Sequence, residues 1–165
     1  MKKQELFATH HCVFTLTYHL VLVTKDRRKV IHKEILERLN QIFEETLEKW
    51  RCELIEFKGE EDHIQLLFEG HPAMQLSQLV NNLKTVTSRL IRRDFKSHVN
   101  QVYGRKRVFW QRSYCILSTG GASIEVIKKY LEEQGEQKRE RLISATKSRR
   151  KAAAAVVGAF PALGR

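Results

Sequence analysis

Between Glu60 and Phe68 an acidic turn runs straight into a strand-length segment, Glu60-Glu61-Asp62-His63-Ile64-Gln65-Leu66-Leu67-Phe68. Side chains alternate faces along a strand, so His63 and Gln65 project together while Ile64, Leu66 and Phe68 project the other way. An imidazole and an amide therefore share one face, backed by an apolar layer. Asp62 could lend a charge to that face by turning inward, though the same alternation points it away from His63. The preceding segment, Cys52 to Lys58, leads through Gly59 into the same turn, so the two form a hairpin. A chain built around such a hairpin must supply helices to cover its apolar face.

Two segments have that period. Ile35, Leu39, Ile42, Phe43, Thr46 and Trp50 mark a helix over 32–51, and Leu79, Leu83, Val86 and Leu90 mark another over about 74–96, after Pro72. Upstream, Cys12 to Thr24 alternates and then turns continuously apolar, which predicts a central strand after a polar leader of residues 1–11. Lys25-Asp26-Arg27-Arg28-Lys29 closes it with a charged turn. Residues 97–113 are expected to be a loop, Tyr114 to Thr119 a fourth strand, and Gly120-Gly121 a break before a helix from about Ile124, capped by Ser123. Tyr130 and Gln134 lie one turn apart on that helix, hence on one side of it. The order β-α-β-β-α-β with an added helix is the ferredoxin-like α+β plan, shared with RNA-recognition modules: an antiparallel sheet with helices on one face. The expected organisation is one domain over 1–137 and a basic, Ala-rich tail over 138–165 that has little to bury.

Charge narrows the partner. Thirty basic against nineteen acidic residues leave +11, which suits a polyanion such as nucleic acid. The second helix carries Asn81, Lys84, Ser88 and Arg92 opposite its apolar stripe, with Asp94 as its one acidic residue. The loop that follows interleaves Tyr103, Arg105, Lys106, Arg107, Phe109, Trp110 and Arg112. Cations among flat rings can hold a phosphate backbone and stack an unpaired base; Phe109 and Trp110 can equally anchor the loop to the core. Arg27, Arg28, Lys84, Ser88, Arg92, Arg105, Lys106, Arg107 and Arg112 are the candidate DNA contacts. Three scattered cysteines, Cys12, Cys52 and Cys115, suggest reduced thiols. With no signal peptide and no run of the roughly 20 apolar residues a membrane span needs, a cytoplasmic protein is expected.

Several short motifs then converge. Tyr18-His19-Leu20-Val21 with Arg27-Arg28-Lys29, Gly59-Glu60-Glu61-Asp62-His63, Ser113-Tyr114, Gly120-Gly121 and Tyr130-Leu131-Glu132-Glu133-Gln134 occur in an order that resembles the single-tyrosine HUH transposases of single-strand insertion sequences. The likeness spans roughly residues 12–137. It implies a prokaryotic enzyme that cuts and rejoins single-stranded DNA beside hairpins at element ends, through a 5′-phosphotyrosine and without a nucleotide cofactor. It also implies a homodimer whose active sites are shared between subunits. On this resemblance Tyr130 is the nucleophile, and His63, Gln65 and Gln134 hold a divalent ion, Mg2+ or Mn2+. The family's strand motif is His-apolar-His; here Gln65 stands at its second histidine. Three uncharged donors should bind metal feebly and favour magnesium over softer ions, so metal and DNA are expected to bind together.

Two other readings compete: a cleavage-deficient relative that only binds hairpins, and an RNA-binding module. The latter would need exposed aromatics in the central strands, which are not evident here. Of the other tyrosines, Tyr18 and Tyr114 read as core and Tyr103 as a DNA contact at most.

Overall fold

The computed structural model describes residues 7–9, 12–118, 131–133, 135 and 144. The chain divides into two compact units, Met1–Ile127 and Lys128–Arg165. In the second, residues 131–133, 135 and 144 are helical.

The first unit opens with β1 (Phe7–Thr9) and β2 (Cys12–Phe14), an antiparallel pair in which Phe7 faces Phe14. β3 (Thr17–Val23) follows, then α1 (Lys33–Lys49), β4 (Glu53–Gly59), β5 (His63–Glu69), α2 (Leu76–Asp94), α3 (Lys96–Tyr103) and β6 (Cys115–Ser118). The four long-range strands form one antiparallel sheet in the order β4-β5-β3-β6. This is the ferredoxin-like arrangement. β4 and β5 are hairpin neighbours, whereas the connections from β3 to β4 and from β5 to β6 join strands that are not neighbours and pass through helices.

One face of the sheet builds the core. Leu20 and Leu22 of β3 and Ile64, Leu66 and Phe68 of β5 are fully buried against Ile35, Leu39, Ile42, Phe43 and Leu47 of α1 and Leu79, Val80 and Leu83 of α2. Four of the residues expected to mark the first helix, together with Thr46, are buried, and Trp50 packs partly at its end. On α2 the buried line runs through Thr87 and Ile91, with Val86 and Leu90 only partly covered. Gly59 lies where α1 crosses the hairpin, and a side chain there would force Leu36 and Ile64 to shift. A Cβ there would sit 2.4 Å from Leu36 Cδ1 and 2.9 Å from Ile64 Cγ2.

Three expectations need correction. The segment from Cys12 to Thr24 is two strands, because β2 turns away to pair with β1, and the supposed polar leader supplies that partner. The break is held by Glu69, a buried carboxylate whose oxygens accept from Leu16 N at 2.7 Å and Thr17 Oγ1 at 2.9 Å. The supposed loop 97–113 begins with a helix, α3, ended by Gly104 at φ 66°. Tyr103 is core, 7 % exposed, and its hydroxyl donates to the Lys25 carbonyl at 3.0 Å, so it is no DNA contact. Burial pushes its phenol up to about 12. Phe109 and Trp110 do anchor the rest of that segment, which docks on the end of β3 through Lys25 N to Phe109 O (2.8 Å) and Gln111 N to Val23 O (2.7 Å). Among the described residues no helix is long and apolar enough to cross a membrane.

Candidate active site

The register places His63 opposite Val23 and Gln65 opposite Val21, so both side chains lie on the sheet face away from the core. His63 is buried and Gln65 half-buried. A third polar residue joins them. His19 of β3 lies diagonally across from Gln65 on the same face. Burial pushes the His19 imidazole down, against the opposing effect of the Gln65 side chain.

Asp62 departs from expectation. Its Oδ1 lies 2.8 Å from His63 Nδ1 and its Oδ2 accepts from Arg27 Nε at 2.8 Å. Alternation does not govern it, because residues 60–62 form a turn outside the strand. Glu60 N donates to His63 O at 2.8 Å to close that turn, and Thr24 N donates to Asp62 O at 2.9 Å to dock it. The hydrogen bond from His63, reinforced by Arg27, holds the Asp62 carboxyl down to about 2 despite partial burial.

A group whose folded pKa is depressed stabilises the fold above its unfolded pKa and loses that contribution as pH falls through the folded value. With 17 % of its side chain exposed, Asp62 should account for on the order of 2 kcal/mol lost between pH 4 and pH 2. Urea midpoints measured across that window should fall for the native chain and vary less for Asp62→Asn; parallel curves would reject the assignment.

A second cluster lies on α2. Lys84, Ser88, Arg89 and Arg92 line a groove of about 390 Å³ with Thr85, Arg107, Val108, Phe109 and Trp110. No carboxylate is among the described residues that line it. Arg92 Nε donates to the Ser88 carbonyl at 3.1 Å, and Lys84 Nζ donates to the Arg112 carbonyl at 2.7 Å while lying 5.7 Å from the centre of the Tyr114 ring. Burial pushes the Lys84 ammonium pKa down, so it carries a partly desolvated charge. Four of the nine expected DNA contacts, Lys84, Ser88, Arg92 and Arg107, thus share one basic concavity. Arg105, Lys106 and the Arg112 side chain are exposed beside it in sequence. Arg27 is committed to Asp62. Arg28 donates to the Val102 carbonyl and lies 5.9 Å from the Tyr103 ring centre.

A basic groove and a His-Gln strand face on a ferredoxin-like sheet can be compared with known proteins. The chain matches the family model described as "Transposase IS200 like" over residues 12–134. It belongs to the IS200-like transposases. The ISDra2 transposase TnpA of Deinococcus radiodurans is 28 % identical over 122 residues, covering 74 % of this chain and 86 % of that protein. The transposase for insertion sequence element IS200 of Salmonella typhimurium is 28 % identical over 127 residues, 77 % of this chain and 82 % of that one. A crystal structure of a candidate transposase from Deinococcus radiodurans superposes with a TM-score of 0.69 at 27 % identity, over 78 % of this chain and 97 % of that chain.

As a member of this family the chain is a DNA-cutting and DNA-transferring enzyme. Tyr130 and Gln134 of this transposase lie outside the described residues, as do Gly120-Gly121 and Ser123. Two arrangements of donors surround His63. Glu60, Asp62 and His63 bring one ligand atom each within 4.8 Å of one another, but a cation there would have to displace the Arg27–Asp62 pair or share it. On the sheet face, His63 and Gln65 offer a nitrogen and an amide oxygen without breaking any contact that Asp62 makes. That donor set fits a hard divalent ion that takes its remaining ligands from elsewhere.

His19 is the residue that sequence reasoning passed over, and Asp62 the one whose direction strand alternation gave wrongly. His19 was visible only as part of the Tyr-His-Leu-Val motif; the alternation of Thr17, His19 and Val21 puts it on the right face, but only pairing with β5 sets it beside Gln65.

Proposed function

We propose that this transposase cuts and rejoins single-stranded DNA at hairpin-flanked element ends, with Tyr130 as nucleophile and His63, Gln65 and Gln134 as donors to Mg2+ or Mn2+. The observation that carries the reading is the family match over residues 12–134, which takes in all four residues; the common face of His63 and Gln65 supports it.

The reaction balances without a nucleotide cofactor. Tyr130 Oη forms a bond to the scissile phosphorus as the bond from phosphorus to the 3′ oxygen breaks. The phenolic proton is lost, and the departing oxygen takes up a proton to become a 3′-hydroxyl. One phosphodiester has become another, so a second end's 3′-hydroxyl can reverse the step and rejoin strands. A phenol of ordinary pKa about 10 is mostly protonated at neutral pH and a poor nucleophile. The divalent ion, when bound, withdraws charge from a non-bridging phosphate oxygen and orients it. His63 and Gln65 hold their face of the site through the sheet. The phosphate itself supplies the negative charge that three neutral donors lack.

The basic groove of α2, with Arg105, Lys106 and Arg112 close to it in sequence and Arg28 as a further contact, holds the DNA backbone. Two subunits assemble with sites completed between them, in the cytoplasm. Removing any one of Lys84, Arg92 or Arg107 should weaken hairpin binding across sequences and reduce the salt slope by about 1; filter binding at stepped salt measures it, and unchanged slopes for all three would exclude the groove.

The direct test is incubation with labelled single-stranded end DNA and Mg2+. A denaturant-resistant conjugate attached at Tyr130 is expected. Hairpin binding with no conjugate under any divalent ion would instead support a binding-only relative, the outcome that Gln65 in place of a histidine makes worth measuring. Titrating Mn2+ with and without a hairpin oligonucleotide should show tighter metal binding when DNA is present; equal affinity would reject the phosphate as a ligand.

A further inference from the structure

His63 is one link in a chain of contacts that begins at Arg27. Arg27 Nε donates to Asp62 Oδ2 at 2.8 Å, and Asp62 Oδ1 lies 2.8 Å from His63 Nδ1. The side chains of Arg27, Asp62 and His63 are 23 %, 17 % and 7 % exposed, so the chain runs inward from the surface. Both carboxylate oxygens are used. An ionised carboxylate only accepts hydrogen bonds, so His63 Nδ1 must carry the hydrogen. In the neutral ring Nε2 then keeps its lone pair, and that nitrogen is the one left to bind a cation.

The backbone is arranged to make this contact. Asp26 and Arg27 have φ of 57° and 49°, a left-handed conformation that side-chain-bearing residues seldom adopt. Thr24 clamps the other end: its amide donates to the Asp62 carbonyl at 2.9 Å, while its Oγ1, 3.1 Å from that oxygen, makes its shorter hydrogen bond to the Arg28 carbonyl at 2.7 Å. Between Thr24 and Arg27 the chain thus grips Asp62 by both its carbonyl and its carboxylate.

We propose that Arg27 is a positioning residue for the metal site: through Asp62 it fixes the His63 ring and its tautomer so that Nε2 faces a divalent cation, and it does not contact a DNA phosphate. This rests on the reading of His63 as a metal donor. The charge of Arg27 makes it a candidate DNA contact, but a guanidinium held against a carboxylate in a partly buried turn acts on the carboxylate's partner. Carboxylate partners of metal-binding histidines orient the ring and raise its basicity, and losing one costs about 10–100-fold in metal affinity.

The test uses the full chain, with Mn2+ as the probe, a hairpin oligonucleotide present, and free Mn2+ read by electron paramagnetic resonance. Arg27→Gln and Asp62→Asn should weaken Mn2+ by about tenfold or more, and Arg27→Lys should recover part of that loss. Without metal, the salt slope of hairpin binding should be the same for Arg27→Gln as for the native chain. Native Mn2+ affinity in Arg27→Gln, with His63→Ala impaired, would overturn the positioning role alone. A salt slope reduced by about 1 in Arg27→Gln would mark a phosphate contact and overturn it too. Native affinity in His63→Ala would remove His63 as a donor, and this proposal with it. A readout that needs no variant of the turn is 15N NMR of the metal-free native protein, its His63 signal assigned from His63→Ala. It should show hydrogen on Nδ1; hydrogen on Nε2 would overturn the proposal.

Discussion

Replacing Tyr130 with Phe should abolish the covalent protein–DNA conjugate and reduce strand transfer at least about 10³-fold, more than 4 kcal/mol of barrier at about 1.4 kcal/mol per decade. The change removes one oxygen and leaves an aromatic ring of nearly the same size. Hairpin affinity should stay within about twofold, because the binding surface assigned to DNA lies on α2 and the segment before β6. None of the described tyrosines is placed to substitute. Tyr103 is buried with its hydroxyl given to the Lys25 carbonyl, and its pKa is pushed up to about 12. Tyr18 packs against Phe68 with ring centres 5.6 Å apart, and Tyr114 is half-buried near Lys84. Gel electrophoresis in denaturant reads the conjugate directly. A conjugate of native yield in Tyr130→Phe would assign the chemistry to another residue.

The largest expected effect on stability is at Trp110. Its ring is 8 % exposed and packs edge-on against Phe109 at 4.8 Å. Its Nε1 donates to Thr87 Oγ1 at 2.9 Å, and that hydroxyl in turn donates to the Leu83 carbonyl at 2.6 Å inside α2. Trp110→Ala leaves a cavity and takes away the donor to a buried hydroxyl, at a cost of roughly 3–5 kcal/mol. Typical domains have only about 5–15 kcal/mol in total. The same residue ties the segment carrying Arg107 to α2, so DNA binding should weaken along with stability. Trp50 is a built-in control: it is half-buried at the end of α1 and bonded to Asn82 Oδ1 at 3.2 Å, and Trp50→Ala should cost less. Urea unfolding of both variants makes the comparison. A Trp110→Ala loss under about 1 kcal/mol would mean that the segment is not anchored there.

Much of this molecule was legible because it depends on periods of two and 3.6 residues. His63 and Gln65 had to share a face once β5 was extended, and Ile35, Leu39, Ile42 and Phe43 had to share a side once α1 was helical. α3 escaped because eight residues with only Val99 and Tyr103 buried carry little pattern among so many polar neighbours. The signal was there in Val99 and Tyr103 four apart and Gly104 just beyond. β1 was hidden for a similar reason, since three residues are too few to show alternation.

By itself the sequence determined the order of the four sheet strands and the two long helices, the apolar faces of α1 and β5, the excess of positive charge and the motif order that places the chain among the transposases. These follow from local covalent geometry and composition. Only the tertiary structure decided that Asp62 turns onto His63, that Arg27 stands behind it, that His19 meets Gln65 and that Arg107 joins the cations of α2. Each of those contacts joins residues in a turn or on different elements. There a side chain's direction is set by backbone angles and strand register that no repeating pattern encodes.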